Sequence, residues 1–254
     1  MTICISYQFF LRAKFSFIYK LNYKLNSDSI KTENIVFFLD IKDGESLFRS
    51  EKFRNSDSLR IARGFPDGFD MEYNNNQLYV FKNYNQNESV KFVFVPLLSS
   101  VYSIKIKDEL KWNIVNEKRT IGKYTCQKAE VNYGDRKWTA WFTTDIPIQD
   151  GPYIFKGLPG LIVMLSDERL DYKFTLGEIQ NFSWKELYPE KSQKEISWED
   201  FKKLQKSFYS NPFAQINKSD VTSYDDAGNI VKPNFKEMIE SVQKKSKIKI
   251  TQLS

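Results

Sequence analysis

Phe15-Ser16-Phe17-Ile18-Tyr19-Lys20-Leu21-Asn22-Tyr23-Lys24-Leu25 sets a large apolar or aromatic side chain at every odd position. Successive side chains of a strand point to opposite faces, so this period of two predicts a strand with one buried face. Asn26-Ser27-Asp28 supplies a turn, and Ile35, Phe37, Leu39 and Ile41 repeat the pattern up to Asp43-Gly44. Outward from there, Phe69, Met71 and Tyr73 read as one arm of a hairpin turned at Asn74-Asn75-Asn76, with Leu78 to Phe81 returning. Val90 to Val95, ending at Pro96, and Tyr102, Ile104 and Ile106 give two more strands. Trp112 and Ile114 open a central block, in which Tyr124 to Tyr133 and Arg136 to Thr144 read as strands joined across Gly134-Asp135. Leu161 to Leu165 is a short apolar run, turned at Asp167-Glu168, and Tyr172, Phe174 and Leu176 alternate after it. About ten strands with short turns predict a β-rich α+β fold, a curved antiparallel sheet, half-barrel or sandwich.

The pattern changes near residue 183. Ser197 stands three residues before Asp200, the spacing of a capping box. Trp198, Phe201, Leu204 and Phe208 follow with helical spacing, and Asn211-Pro212 stops the helix. A second helix is expected from about Phe235 to Lys245, with Phe235, Met238, Ile239 and Val242 on one face. Both helices are expected to cover the sheet. The chain thus reads as one domain over 15–254, with a β-rich part at 15–182 and a helical cover and tail at 183–254. Residues 1–14 read as the remnant of a signal peptide, since the apolar stretch Thr2 to Leu11 is short and is followed by Arg12-Ala13-Lys14.

Composition narrows the chemistry. A hydrophobic share of 41% over 254 residues is enough for a large core, and 21 Phe with 14 Tyr lean the chain towards sheet. The net charge of +6 is spread along the chain. Its dense run, Lys244, Lys245, Lys247 and Lys249, falls near the end of the second expected helix, where lysine complements the helix dipole. No nucleic-acid partner is expected, and no apolar run reaches the roughly 18 residues of a membrane span. The chain contains no histidine, so Ser-His-Asp and Cys-His mechanisms lack their base and His-based zinc sites are excluded. Cys4 and Cys126 are too few for a structural zinc site and read as free thiols. No catalytic residue, cofactor or metal is expected from these patterns. Asp225-Asp226-Ala227-Gly228-Asn229 lacks the alternating ligands and closing glutamate of a calcium loop. The enzyme reading that survives is a pair of carboxylates from Asp145, Asp150, Asp167, Glu168 and Asp171, residue types that equally suit turns.

The most distinctive segment runs from Gly151-Pro152 to Gly157-Leu158-Pro159-Gly160-Leu161-Ile162. Pro159 and Gly160 sit where the two central residues of a type II turn belong, with Gly160 expected at positive φ and Gly157 adding a bend. The reading is a rigid turn feeding a buried strand, in preference to an anion-binding backbone nest. Trp138 and Trp141 stand three apart on one strand and therefore face opposite sides. At most one is expected in the main core, and the pair are the candidates for an exposed aromatic contact.

Gly157-Leu158-Pro159-Gly160-Leu161-Ile162 resembles the hexapeptide that names the GLPGLI family of bacterial proteins. Cys126-Gln127-Lys128-Ala129, Ala140-Trp141-Phe142-Thr143, Ile146-Pro147-Ile148 and Gly151-Pro152 agree with it, and the similarity extends from about Phe15 through the C-terminal helix. The resemblance implies an exported protein of uncharacterised function, in the periplasm or at the cell surface, for which a full signal peptide is expected. It carries over no catalytic or ligand residue. The expected role is non-enzymatic binding or accessory work at the envelope, with a concave, aromatic-lined sheet face taking an apolar ligand or an outer-membrane protein partner. A glycosidase-like two-carboxylate hydrolase and an interaction scaffold at the outer membrane are the alternatives.

Overall fold

The computed structural model describes residues 14–24, 31–63, 78–95, 100–107, 109–181, 193–211, 223–224, 230–237 and 239–240. The strands are β1 (Phe15–Lys24), β2 (Thr32–Lys42), β3 (Glu45–Ser50), β4 (Tyr79–Asn83), β5 (Glu88–Val95), β6 (Ser100–Ile106), β7 (Asn113–Ile121), β8 (Tyr124–Tyr133), β9 (Arg136–Thr143), β10 (Leu161–Asp167), β11 (Tyr172–Asn181) and β12 (Lys194–Glu195). They form one sheet in the order β12-β6-β5-β4-β3-β2-β1-β11-β10-β9-β8-β7. All neighbours are antiparallel except the two-residue β12, which lies parallel on β6. A separate short pair joins β13 (Ser223–Tyr224) to β14 (Ile230–Val231). The β-rich architecture follows the alternation in the sequence. Phe17, Tyr19, Leu21 and Tyr23 all enter the main core.

The sheet is two meanders set back to back. β1 to β6 run one way from the centre, β11 back to β7 run the other, and the seam is the long β1–β11 ladder from Phe15↔Asn181 to Tyr23↔Tyr172. Tight turns act as the sequence implies. Asp43-Gly44 (φ 52° and 83°) and Gly134-Asp135 (φ 59° and 56°) both place two successive residues at positive φ, the geometry whose twist matches a two-residue hairpin.

Chain connectivity forces this sheet to curl. β6 and β7 stand ten strand spacings apart in the order, about 48 Å in a flat sheet at about 4.8 Å each. Yet Ile106 ends β6 and Asn113 begins β7. Seven residue steps reach at most about 25 Å when fully extended. The two wings must therefore bend towards each other. One continuous core unites Leu78 and Val80 from one wing with Val131, Trp138 and Ala140 from the other, and the connecting Leu110 and Trp112 pack against it.

Helices cover both faces. α2 (Trp198–Ser210) begins as the spacing foretells, with Ser197 as N-cap accepting from the Asp200 amide at 3.0 Å. Its Phe201 and Phe208 pack on Val93 of β5 and Ile104 of β6, so it covers one end of the inner face only. α1 (Glu51–Arg63) lies on the outer face, and neither it nor β3 is announced by periodicity. Among its described side chains Phe53, Ser56 and Asp57 are buried, so polar groups share the inward side with an apolar one and blur the stripe that would announce it. Of the second expected helix, 235–237 and 239–240 are helical, and the remainder lies outside the described residues, as do Phe69 to Asn76. β4 takes β3 and β5 as its two partners, so the Leu78–Phe81 strand exists with different neighbours from those expected.

Because the Ser197 hydroxyl meets an otherwise open helix amide, Ser197→Ala should lower stability by about 1 kcal/mol. Urea unfolding checks the magnitude, and hydrogen exchange should show the loss concentrated in the first turn of α2. An unchanged midpoint would contradict the cap.

Candidate functional site

The concave face is not an open groove. The segment between β9 and β10 folds into it and contributes Ile146, Ile148, Tyr153, Ile154, Phe155 and Leu158 to the main core. Its two arms run side by side, with Gly157 N donating to Gln149 O at 3.0 Å, Leu161 N to Ile146 O at 3.0 Å and Ile162 N to Asp150 O at 3.0 Å. At the apex Phe155 N donates to Pro152 O, and Tyr153 takes φ 54°. The filling expected of C-terminal helices is thus supplied largely by the segment carrying the distinctive motif.

One carboxylate fastens this plug. Asp150 is fully buried. Its Oδ1 accepts from Lys82 Nζ and, at 2.7 Å, from Gly151 N. Its Oδ2 accepts from Ser46 Oγ at 2.6 Å and from the Tyr84 hydroxyl. Four donors occupy about the four acceptor positions a carboxylate offers. Lys82 Nζ donates in addition to Gly151 O at 2.9 Å. Burial pulls the Lys82 ammonium below its ordinary range, and Asp150 opposes that pull. β3 and β4 are thereby tied to the loop through charge-assisted bonds held out of water. Lys82 escapes a sequence reading because a lysine in a strand ordinarily marks the solvent face.

The motif glycines work differently from the turn expected. Gly160 is not at positive φ; Gly157 is, at 94°. A Cβ on Gly160 would lie 2.0 Å from Thr143 O, and one on Gly151 would lie 2.7 Å from Ile162 Cβ. Gly160 is therefore a close-approach glycine, pressed on the end of β9, rather than the left-handed residue of a type II turn. Leu158, Leu161 and Ile162 are buried on either side of exposed Pro159, and Pro152 is buried as well. The Ile162 carbonyl, at the register shift of β10, accepts from the Tyr19 hydroxyl at 2.7 Å.

Trp138 and Trp141 do face opposite sides, but neither is exposed. Trp138 lies in the main core, its indole donating to Tyr133 O at 3.0 Å. Trp141 packs with Cys126 and Val163 on the outer face under the Arg119 guanidinium, 3.9 Å from the ring centroid. Cys126 is a free thiol, and burial pushes it up to about 11, which leaves it unreactive at neutral pH.

The other acidic candidates are dispersed. Asp167 and Asp171 are buried around Arg136, Asp167 also accepting from Tyr172 N at 2.8 Å. Asp145 and Glu168 are exposed. A second buried network lies under α1, where Arg49 joins Asp40 and Asp57, Tyr79 donates to Asp57 at 2.7 Å, and Ser16 donates to Asp40. Ser16, Asp40 and Arg49 are polar residues of strands, so the sequence alone marks them as solvent-facing. Among the described residues, no group of acidic or cysteine side chains is arranged to hold a metal.

Lys91, on the inner face of β5, is buried, and among the described residues it has no carboxylate as a partner. Its Nζ donates to the Tyr153 hydroxyl at 3.1 Å and sits 5.0 Å from the Trp198 ring centroid and 5.2 Å from that of Tyr153. Desolvation lowers its pKa to about 8.

Two predictions follow from this geometry. Gly160→Ala should cost about 3 kcal/mol, since backbone stands where its methyl would go, while Gly157→Ala should cost about 1–2 kcal/mol for its left-handed φ alone. Equilibrium unfolding that ranks them the other way would refute the close approach. As for pH, Lys91 keeps its proton to about 8 in the folded chain but to the ordinary 10.5 when unfolded. The unfolded state then binds more protons between those values, so stability rises with pH from about 8. Above the ordinary tyrosine value of 10.0 the buried Tyr19, Tyr79 and Tyr153, whose burial holds their protons on, reverse the trend. Lys91→Met should flatten the rise without abolishing it, because Lys82 and Lys156 are shifted the same way. Superimposable profiles would show that Lys91 is not desolvated.

Comparison with known proteins places this geometry in context. A family model described as a protein of unknown function (Porph_ging) matches residues 130–164, a stretch that includes the hexapeptide. No curated protein matches the chain. Two solved structures of PNGF-II are similar in fold, in the C2 and P21 space groups. The first has a TM-score of 0.56 at 15% identity, over 76% of this chain and 32% of that one. The second has a TM-score of 0.54 at 15% identity, over 76% of this chain and 33% of that one. The chain spans about a third of the length of these neighbours, and the likeness is one of fold.

Proposed function

We propose that this chain is a non-enzymatic binding or accessory protein of the bacterial envelope, a member of the GLPGLI family that works in the periplasm or at the cell surface. The family reading is supported by the hexapeptide lying inside the matched stretch 130–164. The binding reading rests on how the buried carboxylates are used. Asp150, Asp167 and Asp171 are each spent on internal donors that hold loops in place, so they serve as anchors rather than as an acid–base pair. A general acid or base needs a lone pair or proton directed at substrate, and Asp150, with four donors on its two oxygens, offers neither. Because the plug fills the middle of the concave face, the binding surface contracts to the β5–β6 end, where α2 is the cover and Trp198 is half-buried. An apolar ligand or an outer-membrane protein partner fits that aromatic end. Among the described residues no helix is long and apolar enough to cross a membrane.

Native mass spectrometry of the protein purified from its own envelope fraction tests the role. A co-purifying ligand or a defined partner is the expected result. An apo monomer with no partner after in-cell crosslinking would overturn it. Turnover in a glycoside screen, lost in Asp145→Asn, Asp150→Asn or Asp167→Asn while the melting temperature shows that variant to be folded, would replace it with the two-carboxylate hydrolase.

A further inference from the structure

Hydrogen-bond donors outnumber acceptors at the contracted end of the concave face. Lys91 Nζ has three protons to donate, and its one hydrogen-bond partner among the described residues is the Tyr153 hydroxyl. Trp198 Nε1 is buried without a partner among the described residues. Both groups meet at the same place, since the Lys91 ammonium sits 5.0 Å from the Trp198 ring. Lys202 adds a second cation 5.6 Å from that ring. Among the described residues neither Lys91 nor Lys202 has an ion-pair partner, unlike Lys82, which takes Asp150. The neighbourhood is otherwise apolar, with Val93, Ile104, Phe201 and Phe208 buried around it. An ammonium set among aromatic rings without a counter-charge is costly to the fold, and so is a buried indole N–H with no acceptor. Tyr153, which orients the ammonium, is itself held at φ 54°, a conformation an L-residue adopts only when its surroundings impose it.

We propose that Lys91 and the indole N–H of Trp198 form the head-group site for a carboxylate on an apolar body, a fatty acid in chemical class, bound between β5 and the start of α2. One carboxylate supplies what the site lacks. One oxygen accepts from Lys91 Nζ, the other from Trp198 Nε1, and the negative charge pairs the buried cation. The apolar neighbours of the two donors favour a carboxylate carried on an apolar body over a small polar acid. A phosphate, with three oxygens and a larger charge, calls for more donors than these two. The inference rests on the binding reading above and adds the ligand class and the residues that select it.

Laurate and dodecanol, titrated into the full chain by calorimetry with Trp198 fluorescence followed in parallel, separate head-group recognition from apolar contact. Laurate should bind at one site, about tenfold or more tighter than dodecanol. Lys91→Met should remove that preference while leaving dodecanol affinity unchanged, and its melting temperature shows that it is folded. Trp198→Phe keeps an aromatic ring, removes the N–H and should weaken laurate several-fold. Equal affinity for laurate and dodecanol, full laurate affinity in Lys91→Met, or tighter binding of dodecyl phosphate than of laurate would each overturn the assignment. If an envelope ligand co-purifies with Lys91→Met as well as with the wild type, this site is wrong and the binding role stands. If neither carries a ligand or partner, the binding role fails with it.

Discussion

A buried carboxylate has to find its counter-charge inside the fold or not ionise, and Asp150 finds it in Lys82. The rest of the inner face depends on that pairing. Ser46 and Tyr84 reach the same carboxylate from β3 and from the turn after β4, and Gly151 N closes the ring of donors from the loop itself. Removing either charge would leave the other buried alone, which is why such pairs are hard to lose singly even when their net contribution to stability is modest. The pair also fixes position. It sets the plug at one depth in the sheet, and that depth brings Gly151 against Ile162, Gly160 against Thr143 and the Tyr153 hydroxyl against Lys91.

The curl of the sheet is the second constraint, and it comes from chain length. A six-residue link between the two outlying strands cannot span a flat twelve-stranded sheet, so the wings approach. Once they approach, their apolar faces need a filling. The Thr144–Gly160 segment supplies it with aromatic and aliphatic side chains and satisfies its own backbone by pairing arm to arm. A loop buried this deeply is tolerated because its polar groups find partners in the two arms and in Asp150. The Trp112 indole donating to Lys156 O at 2.9 Å ties the linking segment to the same plug. Curl and filling therefore hold each other in place.

Burial on the outer face follows a different logic. α1 covers β2 and β3 through Phe53 and through an Arg–Asp–Tyr network, with Arg49 fully buried between Asp40 and Asp57. At the far wing, Trp141 is sheltered by Arg119 from the outermost strand β7. Neither arrangement leaves the aromatic contact surface that two tryptophans three residues apart suggest. At the β5–α2 end, among the described residues, Lys91 has the Tyr153 hydroxyl as its one hydrogen-bond partner and Trp198 Nε1 has none.

Period-two alternation by itself determined many of the strands between Phe15 and Leu176, though not β3, and with them the β-rich class, because one buried face writes itself into the order of residues. The capped start of α2 was legible for a similar reason, since a hydroxyl three residues before a carboxylate acts locally. Lack of histidine set the limits on chemistry before any coordinate was known. What only the tertiary structure decided was which polar residues are buried. Lys82, Lys91, Arg49 and Asp150 sit at positions that alternation assigns to solvent or to a turn, and they are inside because α1, α2 and the plug close over them. It likewise decided that Gly160 serves close approach and not a left-handed turn, because the atom that excludes a side chain there belongs to Thr143, on a different element. Local patterns encode the conformation of a segment; the cover laid over a face by distant elements, and the counter-charges that cover demands, exist only once the chain has folded.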